Sequence, residues 1–156
     1  MRIVIAVAAT LKDAAIEASV ADYLRRASFV YRSDLMQVRS DAVRRGQDVA
    51  RARAAEGERL LKATADTWTR IALDERGDLL TSQEFASVIE RAAIGAAPGI
   101  AFLIGAPHGL DPALVGACSR SVALSRMTLN HQHAVLVLAE QLYRATTLIT
   151  GAPYHK

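Results

Sequence analysis

Three short stretches of this chain hold residue types that can do chemistry. Gly105-Ala106-Pro107-His108-Gly109-Leu110 sets two glycines around a proline and a histidine, so its backbone can approach a ligand closely or take positive φ. It is neither G-x-G-x-x-G nor a phosphate loop with its Lys-Ser/Thr, so the usual dinucleotide and Walker sites lack their defining residues. Alone, such a loop is more often an ordinary turn than a cofactor site. His131 opens a helical pattern. An imidazole with an unperturbed pKa near 6.5 can exchange a proton at neutral pH, and at a helix start it can equally be a capping or structural group. Tyr154 and His155 close the tail GAPYHK, where an aromatic ring and an imidazole can stack on and hydrogen-bond a nucleobase, or simply fray.

Other candidates reduce to structure. His131 and His133 stand two apart, which on a helix points them to nearly opposite sides, and Cys118 is the only cysteine. No metal site is expected. Glu140 and Arg144 have the spacing of an i,i+4 ion pair, Leu142 and Tyr143 read as packing residues at a subunit contact, and Trp68 reads as packing at a strand edge.

Charge is uneven along the 156 residues. Residues 1–62 carry 12 Lys/Arg against 8 Asp/Glu, and residues 63–156 carry 7 against 8. The dense part, Arg39, Arg44, Arg45, Arg51, Arg53, Arg59 and Lys62, would attract a polyanion by releasing its counterions. Asp48, Glu56 and Glu58 are interspersed, so a merely solvated face stands as the alternative. A lone cysteine excludes a disulfide framework, and the apolar run Ile3 to Ala9 is too short to span a membrane and lacks the order of a signal peptide. The expectation is a soluble cytoplasmic protein.

These residues need elements to hold them. Arg2–Ala8 is a β-branched apolar strand, followed by a helix from about Asp13 with Ile16, Val20, Tyr23, Leu24 and Ala27 at helical spacing. Asp34–Val38 is a second strand, 42–63 a long helix, and Arg70–Leu73 a strand running into the turn Asp74-Glu75-Arg76-Gly77. Thr81 with Glu84 is a capping box. Ile100–Ile104 is the most strand-like run; Asp111-Pro112 opens a short helix to about Cys118, Val122–Leu124 is a fifth strand, and a helix follows over His131–Thr147. Alternating strands and helices predict one α/β domain over 1–156, a mostly parallel sheet with helices on both faces. In such sheets ligands sit beyond the carboxyl ends of the strands, which places attention on the loops after Leu73, Ile104 and Leu124.

Four strings in the second half, FLIGAPHGL (102–110), LSRMTLNHQ (124–132), LAEQLYRA (138–145) and PYH (153–155), resemble the RlmH family of SPOUT methyltransferases. The likeness extends to length, to the first strand and to the LDERG turn. The resemblance implies a C-terminal deep trefoil knot and S-adenosylmethionine as cofactor. It implies methylation of N3 of a pseudouridine in large-subunit ribosomal RNA, within the ribosome, and a homodimer through the last helix whose partner helps complete each site. By position it places the cofactor against Leu73, Gly105, Leu124, Ser125, Arg126, Met127, Thr128 and Leu129, held largely by backbone. It casts His131 as general base or substrate-orienting group, because N3 of a pyrimidine is a poor nucleophile until its proton leaves, and Tyr154 and His155 as substrate contacts. Family members usually carry Gly where this chain has Ala106, an acid where it has His108, and an Arg where it has Val135. A SPOUT-like RNA- or nucleotide-binding protein without turnover is the alternative those departures suggest, and an unrelated α/β nucleotide-binding enzyme is a third.

Overall fold

A computed structural model describes residues 1–41 and 48–155. Five strands, β1 (Arg2–Val7), β2 (Arg32–Gln37), β3 (Thr69–Leu79), β4 (Gly99–Ile104) and β5 (Arg120–Ala123), form one sheet in the order β2-β1-β4-β3-β5. Every pairing is parallel. β4 is buried at all six positions, as a central strand covered on both sides must be, which explains why its sequence reads as an unbroken apolar run rather than an alternation.

Among the described residues five helices cover the two faces. Alternate residues Ile3, Ile5, Val7, Ile100, Phe102 and Ile104 point into a large core with α1 (Ala14–Ala27), α3 (Ser82–Ile94) and α5 (His131–Thr150). The intervening Val4, Ala6, Ala72, Ala101 and Leu103 meet Leu60 of α2 (Val49–Ala63) and Leu114 of α4 (Pro112–Ala117) on the other side. Small side chains on this second face let α2 lie close, and Gly57 approaches α4 so nearly that an added Cβ would touch Leu114 and Asp111 at 3.5 to 3.6 Å. The expected α/β architecture holds.

The cap at Thr81 follows its sequence signal, Asp48 caps a helix that starts later than expected, and Asp111 precedes Pro112 without a side-chain cap bond. Asp13 and Asp48 accept the backbone N–H groups two and three residues on, and Thr81 with Glu84 forms the full capping box. Several bounds shift. The long helix expected from residue 42 is described from Val49, and Arg44 and Arg45 lie outside the described residues. α5 runs one turn further than expected, to a left-handed Gly151 at φ 69°. The turn at Asp74–Gly77 is not the end of β3. Leu73 and Asp78 both stand opposite Val122 on β5, so residues 74–77 bulge out of a strand that resumes beyond them. Gly77 permits this, since a Cβ there would lie 2.6 Å from the Val122 nitrogen.

Candidate active site

β4, β3 and β5 are neighbours, and their register aligns Leu73 with Ile104 and with Val122. Adjacent strands lie about 4.8 Å apart. The bulge of β3 and the loops leaving β4 and β5 therefore meet, and they enclose a cavity of about 740 Å³, within the range that small-molecule sites occupy. Of the residues expected to hold a cofactor, Leu73, Gly105, Leu124, Ser125, Met127, Thr128 and Leu129 line it. Arg126 does not; it is exposed outside the lining.

The walls are fixed by short-range geometry. The Gly109 N–H donates to the Ala106 carbonyl at 2.8 Å, folding residues 105–110 back on themselves. A Cβ on Gly105 would collide with the Gly109 carbonyl carbon and lie 2.6 Å from the Leu110 nitrogen, so only glycine fits. Gly109 supplies φ +79°. Across the cavity, the Ser125 hydroxyl accepts the Met127 N–H at 3.0 Å. Thr128 Oγ1 donates to Glu75 Oε2 at 3.0 Å, tying the loop after β5 to the bulge of β3.

Acid and base groups have definite states. The Arg76 guanidinium engages both oxygens of Asp74, at 3.1 and 3.3 Å, and holds that carboxyl below its ordinary range. His131 lines the cavity as the first residue of α5. It is not the cap: Asn130 Oδ1 accepts the Gln132 N–H at 2.7 Å. Burial first, and the nearby Lys12 charge second, push its imidazole below the usual 6.5. At neutral pH the ring is uncharged and able to accept a proton. Gln132, next to it, fixes the approach of the first strand's loop, accepting from the Lys12 and Asp13 N–H groups at 2.8 and 3.1 Å.

Tyr154 and His155 are ordered but stand elsewhere. The Tyr154 hydroxyl donates to Glu140 Oε1 at 3.1 Å; His155 lies 3.4 Å from Arg144 and 2.9 Å from the Gln83 amide nitrogen. Glu140 and Arg144 pair at 2.7 Å as their spacing predicts. They lie nine and thirteen residues along α5 from His131, about 13 and 20 Å of helix rise. Within one chain the tail therefore does not reach the cavity that His131 lines, and it is docked rather than frayed. Burial, with Glu140 alongside, raises the Tyr154 phenol. Arg26 stacks over Tyr143 at 3.8 Å to the ring centroid, beside Tyr23 and Tyr154. Leu142, expected at a subunit contact, is instead buried in the chain's own core.

The three departures also have positions. Ala106 lines the cavity and is also buried against the residues packed under α2 and α4; its φ is not positive, so its methyl does not strain the loop. Val135 is completely buried in the larger core and faces no ligand. His108 is exposed at the cavity rim. Arg53, Glu75 and Asn130 line the cavity without having been singled out for it. Arg53 falls on the same helical stripe as buried Glu56, Gly57 and Leu60, and a cation on an inward stripe was the available signal.

Among the described residues no group of His, Cys, Asp or Glu could hold a metal ion, and no helix is long and apolar enough to cross a membrane. Cys118 is half-buried, with its thiol pushed up by burial.

Comparison with known proteins shows the family and the fold. Residues 1–155 match the family model described as "Predicted SPOUT methyltransferase". The "Ribosomal RNA large subunit methyltransferase H" of Bordetella pertussis is 35% identical over 156 residues, 100% of this chain and 99% of that protein. The protein of the same name from Thiobacillus denitrificans is 40% identical over 141 residues, 90% of each. Among solved structures, a probable methyltransferase from Bordetella pertussis superimposes with a TM-score of 0.55 at 18% identity, covering 92% of this chain and 95% of that one. A Legionella pneumophila protein solved with bound SAM gives 0.51 at 12% identity, covering 93% and 66%. These two show the shared fold. A family match over nearly the whole chain, with relatives aligned from end to end, means that this chain belongs to the SPOUT methyltransferase family and, within it, to the large-subunit ribosomal RNA methyltransferase H group.

Proposed function

We propose that this protein transfers a methyl group from S-adenosylmethionine to N3 of a pseudouridine in large-subunit ribosomal RNA, as a cytoplasmic homodimer acting on the assembled particle. The observation that carries this reading is the convergence of the β3 bulge after Leu73 with the loops after Ile104 and Ala123 on one cavity that His131 lines. The residues present fit the cofactor: apolar walls from Leu73, Leu124 and Leu129, and a glycine at 105 whose backbone admits no side chain. A nucleoside can be held there by peptide groups and apolar contact. When bound, the cofactor would supply an electrophilic methyl on a sulfonium, whose methyl–sulfur bond breaks to release a neutral thioether.

The chain's own residues do the rest. His131 accepts the N3 proton, leaving the nitrogen lone pair free to take the methyl, and the proton remains on the imidazole until solvent removes it. Tyr154 and His155, distant from the cavity of their own chain, act on substrate at the cavity of a second subunit. That arrangement makes the dimer part of the site. The knot that the family likeness implies would lie where residues 105–110 and 124–130 close over the end of β3. Val135 is absorbed by the core, whereas Ala106 lines the cavity, so a binding-only protein is the reading that an absence of transfer with intact cofactor binding would favour.

The test supplies labelled cofactor and unmodified large subunits. Label should enter large-subunit RNA with the native chain, and His131→Ala should lower the rate by about 10²- to 10⁴-fold, the usual contribution of a positioned general base. No label with the native chain, under conditions where an active relative works, would remove the proposal.

A further inference from the structure

α2 carries a cation that the fold leaves uncompensated. Arg53 lines the cavity, and its Nε is closed off from solvent with no hydrogen-bond partner, the one such buried side-chain nitrogen or oxygen among the described residues. It takes part in none of the ion pairs there. Asp74 feels its charge, but both Asp74 oxygens are taken by Arg76. Elsewhere on the same helix the contrast is plain: Arg59 donates to the Arg39 carbonyl at 3.0 Å and to Asp41 at 2.9 Å.

A guanidinium held partly out of water without a counter-ion is costly, and an orphaned buried donor at a cavity wall calls for a partner that arrives with the ligand. We propose that Arg53 is the anion-holding residue of this cavity, its planar fork receiving an oxyanion of the reactants. This rests on reading the cavity as the cofactor site. Two reactants bring such a group: the carboxylate on the aminoacyl end of S-adenosylmethionine, and a phosphate of the RNA. The chemistry is the same, since carboxylate and phosphate both offer two oxygens at the spacing of the fork. Glu75 on the same cavity, with Asp74, gives the walls both signs, as a zwitterionic amino-acid terminus requires.

Calorimetry on the full chain distinguishes the sources. Wild type, Arg53→Met and Arg53→Lys are titrated with S-adenosylmethionine and with 5′-methylthioadenosine, which lacks the aminoacyl carboxylate. Ribosome association is measured over a salt series, and the free proteins are melted. If the carboxylate is the partner, Arg53→Met weakens S-adenosylmethionine at least about tenfold, leaves methylthioadenosine unchanged, and Arg53→Lys recovers part of the loss. If phosphate is the partner, cofactor affinity holds, while ribosome affinity and its salt slope fall. In either case the melting temperature of Arg53→Met does not drop, because the free protein loses an unpartnered donor. Unchanged affinities in every arm overturn the role of Arg53 alone, as does equal loss of both nucleosides with earlier melting, the mark of a structural residue. A wild type that binds neither nucleoside overturns the cavity reading itself, and this proposal with it.

Discussion

His131 shows how a single side chain acquires its function from its surroundings. Burial and Lys12 both disfavour the imidazolium, so the folded pKa lies below that of a free histidine. The sign follows: the reactive base form is already dominant at neutral pH. We expect kcat/KM to fall only on the acid side, with a midpoint below 6.5, and to be flat across pH 7 to 8. Lys12→Ala should move that midpoint upward, toward the ordinary value, with little change in the plateau. A pH–rate profile on both proteins checks this; a limb above pH 7 would assign the proton transfer to another group. His131 was legible in the sequence as a histidine at a helix start, but which residue caps that helix was not, because Asn130 and His131 are both plausible caps until the geometry gives the task to Asn130.

At the scale of elements, α2 illustrates what patterning reveals and what it hides. Alternation of strands and helices was readable throughout, as was the capping box of Thr81 and Glu84, because both depend on neighbours within a few residues. The bulge in β3 was not: LDERG has the composition of a terminal turn, and only the long-range pairing of Asp78 with Val122 keeps it inside a strand. Nor was the burial of Glu56, which in an Arg/Ala-rich segment reads as one more solvated charge. It is 4% exposed and accepts the Asp41 N–H at 2.9 Å, and burial raises its carboxyl above the usual value. An acid whose folded pKa is raised costs stability once it ionises. Glu56→Gln keeps the acceptor and removes the charge. It should raise the melting temperature at pH 8 by about 2 to 4 °C, the shift that roughly 1 kcal/mol produces in a chain of this size, and the gap should close near pH 4. A higher melting temperature for the wild type at pH 8 would contradict this account.

For the whole molecule, the uneven charge becomes a surface question. Arg59 is a clip that fastens residues 39–41 to α2, and Arg53 is turned inward, so neither belongs to a solvated face. Arg39, Arg51 and Lys62 are exposed, and the eleven-residue spacing of Arg51 and Lys62 puts them on one side of α2. Replacing these three with Ala should weaken ribosome association, lowering the slope of log K against log salt by roughly one for each phosphate no longer neutralised, with cofactor affinity unchanged. Association measured at two or more salt concentrations decides it; unaltered binding would make this a hydrated face only. The distribution of charge could be counted from composition, but which arginines are spent on the fold could not, since that depends on partners twenty residues or so away.

The bulge of β3 has one more consequence. Asp74, Glu75 and Arg76 ride on a segment clamped at both ends by sheet pairing and wedged at Gly77 against the Val122 backbone. The facing segment, 124–130, is fastened to them by the Thr128 hydroxyl on Glu75 and to the core by Leu124 and Leu129. Both jaws of the vise are thus bolted to the bench at their ends, and the Thr128 hydroxyl is the latch that sets the gap between them.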